Sequence, residues 1–575
     1  MRFGLFYEHQ HPRPWEDGAH ERLLRDALEQ IELADRSGFD YVWEVEHHFL
    51  EEYSHSSAPE VFLAAASQRT QRIRLGHGIV QLPPAFNHPA RIVERAAMLD
   101  LVSGGRVELG TGEASSQAEL GGFGVPREQK RAQWEEALDV VARMFVEEPF
   151  AGVDGDFVRM PPRNVMPKAI QRPHPPLWVA CSRRDTILLA AQKGIGALSF
   201  SFVEPEAAKE WVDAYYATID SDECVPGGFA VNPNVAVVVP MMCHDDEALA
   251  IERGIDGAHF FGYSLAHYYA FGEHRPGRTS VWDEFIANCD KRGFARDIIT
   301  ADDAPLGVKL LQQGLGSLRG AIGTPDQIAE LCERYERAGV DQVIFVLQAG
   351  RNQHEHICEA ISLFGERVLP RFAEHVEERE AAKRERLAGA VERALARREG
   401  PREAPDGYTI SPGGEPAPAP APRVRSGVNG RPSIAGLARQ AGQNALASLV
   451  RGRSDDQLDR FVGSGPGLAL IFKGMERAFV PSKRGDFSGE IQYELRGARG
   501  VRRFAVAVGE HGAQVSERPA HDPALTVRAS VPAFARIVAG ELDPGRALLE
   551  GDLVLEGSME VAAKLPEMFG EASRY

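Results

Sequence analysis

Over the first 350 residues, short β-rich runs alternate with helical patterns, and this alternation constrains the fold more than any other feature of the chain. It is the pattern of a parallel sheet wound with helices. The candidate strands are 2–7, 41–45, 73–80, 106–110, 177–180, 197–201, 235–239 and 342–347. Eight of them predict a closed α/β barrel of the TIM (β/α)₈ type. Between them, Leu24, Leu28, Ile31 and Ala34 recur at helical spacing over 21–37, as do Trp134, Leu138, Val141 and Phe145 over 129–145. Gly38, directly after the first helical run, reads as its C-cap.

The connection between the seventh and eighth strands is too long for one crossover helix. It carries an aromatic run that includes Phe260, Phe261, Tyr263, His267, Tyr268, Tyr269 and Phe271. Long βα connections shape the mouth of such a barrel, so Phe260, Tyr263 and Tyr268 are candidate substrate-wall residues. Plain helix packing is the competing reading.

After Phe372 the composition changes to a charge-dense helical run over 374–399 and a Pro-Ala repeat within 401–422, a semi-rigid spacer. From about Ser433 a second pattern begins: an amphipathic stretch, strands at 489–495, 503–508, 513–517, 524–529 and 551–556, and short helices. This predicts a barrel over 1–375, a charged helix and Pro-rich linker over 376–431, and a small α+β domain over 432–575.

Acidic residues (83) outnumber Lys and Arg (65) for a net charge of -18, which argues against a nucleic-acid partner. No apolar run reaches transmembrane length and the N-terminus lacks a signal-peptide pattern. Six scattered cysteines without a C-x-x-C pair read as reduced thiols, so a cytoplasmic protein is expected.

A barrel of this type carries its chemistry at the C-terminal ends of its strands. Directly after the second strand stand Glu46, His47, His48 and Phe49. Adjacent side chains on an extended segment face opposite ways, so one imidazole is expected in the pocket while the other packs. A single inward His near neutral pKa suits proton transfer, with Glu46 as the group that orients it.

Several stretches resemble the bacterial-luciferase-like flavin monooxygenase family in order and spacing. They are Arg2 to Phe6; Gly38, Phe39 and Asp40 leading into Glu46, His47, His48 and Phe49; Gln81, Leu82 and Pro83; His88 and Pro89; Gly104, Gly105 and Arg106; Gly121 to Gly124; Gly323, Thr324 and Pro325; and Phe364 to Pro370. The resemblance implies that His47 is the acid/base group beside the flavin. It implies a strained bulge, often with a non-prolyl cis peptide, at His77, Gly78 and Ile79 against the ring. The turn Thr111 to Ser116 would follow the ribityl chain, and the phosphate would lie at Ser182 and Arg183. With Phe6, Gly112, Glu113 and Ser116, these residues make up the expected cofactor site, and no metal is expected.

Two positions depart from the family. Gly112 stands where luciferase has a reactive cysteine, so light emission is not implied. Glu113 stands where the family has a phosphate-contacting arginine, and Arg183 or Arg184 is the expected replacement. The Glu46–Phe49 string resembles the reduced-FMN monooxygenases more than the F420 branch, which makes FMN the expected flavin and F420 the alternative. No G-x-G-x-x-G follows the first strand, so the chain shows no Rossmann site of its own for NAD(P)H; the family resemblance implies a separate flavin reductase as partner. A homodimer is left open.

The C-terminal part resembles the sterol-carrier-protein-2 (SCP2) family. The residues that carry this are Ala524 to Ala529, then Phe534 through Gly540 to Pro544, then Leu549 to Leu553 with Glu556 to Met559. Such domains enclose an apolar tunnel, and Leu470, Phe472, Met475, Phe479, Leu565 and Met568 are candidates to line one or to form ordinary core. The expected function is oxidation of a hydrophobic carbonyl or lipid-like substrate by reduced FMN and O₂, the SCP2-like domain binding or delivering it. An F420-dependent oxidoreductase and a lipid carrier with an idle barrel are the alternatives.

Overall fold

In a computed structural model of the chain, the described residues are 1–199, 204–289, 319–410 and most of 453–569. Within the last stretch, 463–464, 480–483, 485–486, 499, 510–511, 540–541, 543–546 and 548–551 fall outside the description. So do residues 411–452, which hold the Pro-Ala repeat and the amphipathic stretch near Ser433, as well as Ser201, Gly540 and Pro544. The chain divides into two compact units, Met1–Ala419 and Pro420–Tyr575.

The first unit is built on eight parallel strands: β1 Arg2–Tyr7, β2 Tyr41–Glu44, β3 Arg74–Gln81, β4 Val107–Gly112, β5 Leu177–Cys181, β6 Gly196–Ser199, β7 Val235–Cys243 and β8 Gln342–Val346. Each pairs with its neighbour, and β7 pairs with both β6 and β8, which closes the barrel. Side-chain alternation divides two cores. Phe3, Leu5, Val42, Leu75, Val107 and Val343 point outward to the helices, whereas Phe6, Trp43, Ile79, Trp178, Leu198, Val238 and Ile344 fill the interior. Gly38 ends the helix Ala19–Ser37 at φ 99°, a left-handed conformation that glycine adopts without a Cβ clash.

The β7–β8 connection comprises a helix Glu247–Ala266, a π-helical turn His267–Phe271, a helix Val281–Asn288, a short strand Ala321–Gly323 paired with the end of β7, and a helix Pro325–Arg337. A capping box between Thr324 and Gln327 starts the last of these.

The charge-dense run forms one 28-residue helix, Pro370–Arg397. It belongs to the barrel unit: Arg379 pairs with Glu336 at 2.8 Å, Lys383 with Asp341 at 2.9 Å and Arg393 with Asp220 at 2.6 Å. One set of its charges therefore meets partners on the barrel, a distinction composition alone does not carry.

The second unit has a five-stranded sheet of β9 Gly489–Gly497, β10 Gly500–Val508, β11 Ala513–Ser516, β12 Pro523–Ser530 and β13 Leu553–Gly557, in the order β11-β10-β9-β12-β13. Among the described residues, the β9–β12 pair is parallel and the other pairs are antiparallel. Phe472 of the helix Gly465–Ala478 stacks on Phe504 at 4.1 Å and on Phe534 of the helix Val531–Val538 at 5.5 Å. Phe472, Phe479 and Met568 are buried in this core, with Met475 and Leu565 at its margin.

Candidate active site

The chemistry converges where β1, β2 and β4 end. Beyond β2 the two adjacent histidines separate. His47 turns toward the interior, its ring edge-on to Tyr53 at 5.7 Å. His48 packs against Phe86 and Phe123 outside it. The backbone N–H of His47 donates to Ser56 O at 2.8 Å, which fixes the segment's path.

The imidazole of His47 lies between two carboxylates. Nδ1 is 3.0 Å from Glu119 Oε1, and Nε2 is 3.7 Å from Glu8 Oε2. Burial lowers the proton affinity of His47, but Glu119 and Glu8 outweigh that effect and raise its pKa to about 9. Burial pushes Glu8 up to about 7, against the pull of His47 and of the Tyr53 hydroxyl, which donates to Glu8 Oε1 at 2.8 Å. Glu119 also accepts the backbone N–H of His48 at 3.1 Å.

Glu46 does not orient His47. Its carboxylate accepts Gln81 N–H at 2.7 Å and Asn87 Nδ2 at 2.8 Å and lies 3.1 Å from His48 Nε2, so it braces the ends of β2 and β3. The orienting carboxylates come from Glu119 and Glu8, both missed in the sequence. Glu119 sits three residues after Ser116 and reads only as a capping-box glutamate; Ser116 does cap that helix, accepting Ala118 N–H. Glu8 lies two residues past the inward Phe6, so strand alternation was the one available signal.

The wall beside His47 is aromatic. Tyr53 contacts Phe261 at 5.7 Å and Tyr268 at 6.5 Å. Of the three expected wall residues, Tyr268 is here, whereas Phe260 and Tyr263 are buried against the helix Val281–Asn288 through Trp282 and Phe285. On a helix, positions 260 and 261 face about 100° apart, and the sequence cannot say which one meets the barrel.

The bulge expected at Gly78 and Ile79 is present as a shift in the register of β3 against β4 between His77 and Val80. The cis peptides among the described residues all precede proline, so the bulge carries none. It turns both Gly78 and Ile79 inward and drives the His77 carbonyl toward Gly110, where an added Cβ would fall 2.1 Å from that oxygen. A Cβ at Gly112 would fall 2.4 Å from Ile79 Cδ1, which accounts for glycine where a cysteine was the family expectation. His77 itself points to the outer side of β3, where Glu60 and Arg95 are its charged neighbours; burial holds its pKa well below the ordinary value. Toward the interior it offers main chain alone.

Glu113 is held by Lys130 at 3.1 Å and Arg131 at 2.7 Å, and these partners keep it ionised despite its burial. Lys130 also donates to Ala114 O at 2.8 Å, and Arg127 to Ser115 O at 3.0 Å. A cationic cluster thus borders the turn after β4. Arg183 is largely exposed and paired with Asp185 at 3.1 Å, beside the exposed Ser182 at the end of β5.

The model for luciferase-like monooxygenases matches residues 1–342, more than half of the chain. This chain belongs to the luciferase-like monooxygenase family. Residues 479–570 match the SCP-2 sterol transfer family, so the luciferase-like barrel is fused to an SCP2 domain. The chain is similar to 4-hydroxyprotoasukamycin monooxygenase of Streptomyces nodosus subsp. asukaensis (34% identity, 35% of this chain and 53% of that protein). It is also similar to the oxygenase component of flavin-dependent trigonelline monooxygenase of Acinetobacter baylyi (29%, 34% and 52%). The matches to the first curated relatives span about half the length of those proteins. Among solved structures, monooxygenase RslO1 from Streptomyces bottropensis superposes with a TM-score of 0.50 at 26% identity, over 65% of this chain and all of that one. Among the described residues, no helix of this luciferase-like protein is long and apolar enough to cross a membrane.

Proposed function

We propose that the protein is the oxygenase component of a two-component flavin monooxygenase, using reduced FMN and O₂ to oxidise a hydrophobic carbonyl or lipid-like compound. The observation that carries this reading is His47 inside the barrel mouth, bracketed by Glu119 and Glu8 beneath an aromatic wall. Glu8 Oε2 and Glu119 Oε2 are buried there without a hydrogen-bond partner within the protein. Apolar walls with a few unpaired polar atoms suit a planar heterocycle with polar edges, so the residues fit a flavin.

Phe6, Gly78 and Ile79 would hold the ring, Gly112, Glu113 and Ser116 the side chain, and Ser182 and Arg183 the phosphate, aided by Lys130 and Arg131. When bound, reduced flavin supplies the electrons that activate dioxygen. Glu119 accepts from Nδ1–H of His47, which fixes the tautomer and leaves Nε2 to hold or deliver a proton at a reacting oxygen. Tyr53, Phe261 and Tyr268 exclude water from that point.

The named trigonelline relative is an oxygenase component, which supports a separate reductase as partner here. The SCP2 domain would hold the apolar substrate and raise its local concentration. Equilibrium titration of the full chain with reduced FMN and with reduced F420, followed by mixing with O₂, tests the reading. Tight FMN binding with oxygen-dependent product is expected. Preference for F420 would favour the alternative F420-dependent oxidoreductase, and retention of neither would leave a lipid carrier.

A further inference from the structure

Counting protons at the barrel mouth separates its two carboxylates. Glu119 receives two N–H groups, from the His47 ring at 3.0 Å and the His48 backbone at 3.1 Å. Glu8 receives the Tyr53 hydroxyl on Oε1, and its buried Oε2 faces His47 Nε2 at 3.7 Å without a hydrogen bond. That distance is too long for a bond and short enough for the two atoms to flank one point. An imidazolium with two carboxylates carries a net negative charge, and burial favours uptake of one more proton. Glu8, whose donors are the neutral Tyr53 and Ser54 hydroxyls and whose Oε2 stands open toward Nε2, takes it, while Glu119 holds the imidazolium N–H itself. The other titratable groups facing the trio are Tyr53, Tyr269 of the π-helical turn, which senses both carboxylates, and Glu46 from the end of β2.

We propose that Glu8 is the proton-sharing partner of His47, a positioning residue that stores the proton renewing the imidazolium after His47 has spent its own. The N–H bond at Nε2 breaks as its proton passes to the reacting oxygen. The O–H bond at Glu8 Oε2 then breaks and a new N–H bond forms at Nε2, leaving a Glu8 carboxylate held by the Tyr53 hydroxyl. A proton from solvent resets the pair between turnovers. The use of the pair in turnover rests on the oxygenase reading above; the sharing itself does not.

The test is a titration of the His47 ring by NMR in ¹³C-histidine-labelled full-length protein without flavin, the resonance assigned by its loss in His47→Ala. The wild type should titrate in two coupled steps. Glu8→Gln should titrate in one, with the protonation constant of His47 lowered at least about tenfold. Glu8→Asp, which keeps a carboxylate, should lie between the two. In turnover, Glu8→Gln should lower kcat and reshape its pH profile while leaving KM for the organic substrate in place. If Glu8→Gln does not fold, Tyr53→Phe removes the donor that favours the Glu8 carboxylate and should also lower the His47 constant. A His47 titration in Glu8→Gln that superimposes on the wild type, or equal constants in Glu8→Gln and Glu8→Asp, would overturn the proposal. An intact two-step titration in a protein that never turns over with any flavin would instead contradict the oxygenase reading and leave the pair standing.

Discussion

The two units bury polar groups in opposite ways. At the barrel mouth Glu8, Glu119 and Glu46 are buried, and Glu8 and Glu119 each leave a carboxylate oxygen unmatched by any donor in the protein. In the C-terminal unit, Gln492 is the one buried polar side chain among the described residues, and it is fully used: Nε2 donates to the carbonyls of Tyr493 and Phe504, and Oε1 accepts Ala520 N–H. Charges there, such as Glu494 between Arg503 and Arg528, stay on the outer face of the sheet. Unmatched buried carboxylates cost stability, and a fold keeps them where chemistry needs them. On the proposed function, this difference fits proton transfer at the barrel mouth, while the second unit's interior is an apolar core.

The sharpest way to break this contrast is at His47. His47→Ala should lower kcat by about 10²–10⁴-fold while leaving reduced-FMN affinity within a few-fold, measured by steady-state turnover and equilibrium binding. Full activity in the variant would remove the imidazole from the reaction. In the other unit, Phe472→Ala should destabilise the local core by about 3–5 kcal/mol, because the ring stacks on both Phe504 and Phe534. Hydrogen exchange should show this loss confined to residues 453–569, with the His47 titration unmoved.

A smaller effect follows from pH. The pKa of His47 is raised in the fold from the ordinary 6.5 to about 9, so the stabilisation it gives is complete below about pH 6.5 and is lost as pH rises through 9. Urea unfolding of the barrel unit should therefore weaken by about 1–3 kcal/mol between pH 6.5 and 9.5 on this account, and His47→Gln should flatten that slope. The smallest effect is expected at Glu494→Gln, which removes two ion pairs from a solvent-facing surface; Tm should not move measurably.

The eight strands were legible because barrel strands buried on both sides announce themselves as runs of Val, Ile, Leu and Phe, and the strand ends agree to within a few residues. The split between His47 and His48 was legible from strand alternation. Their partners were not. Glu119 is 72 residues from His47, and nothing local distinguishes a capping glutamate from one that reaches across the mouth. Glu46, next in sequence, was the natural choice for His47, yet adjacency in a strand sends it to Gln81, Asn87 and His48. Phe260 and Tyr263 failed as wall residues for the same reason: the helix pattern gave the aromatic run, and the packing partner Phe285 decided which ring faced inward.

The central claim is that the barrel mouth carries out flavin-dependent oxygen transfer through His47. Turnover of the full chain with reduced FMN under ¹⁸O₂, read by mass spectrometry of the organic product, tests it most directly. One heavy oxygen atom in the product, lost in His47→Ala, is the predicted result. Product formed without heavy oxygen, or formed equally by the variant, would contradict it.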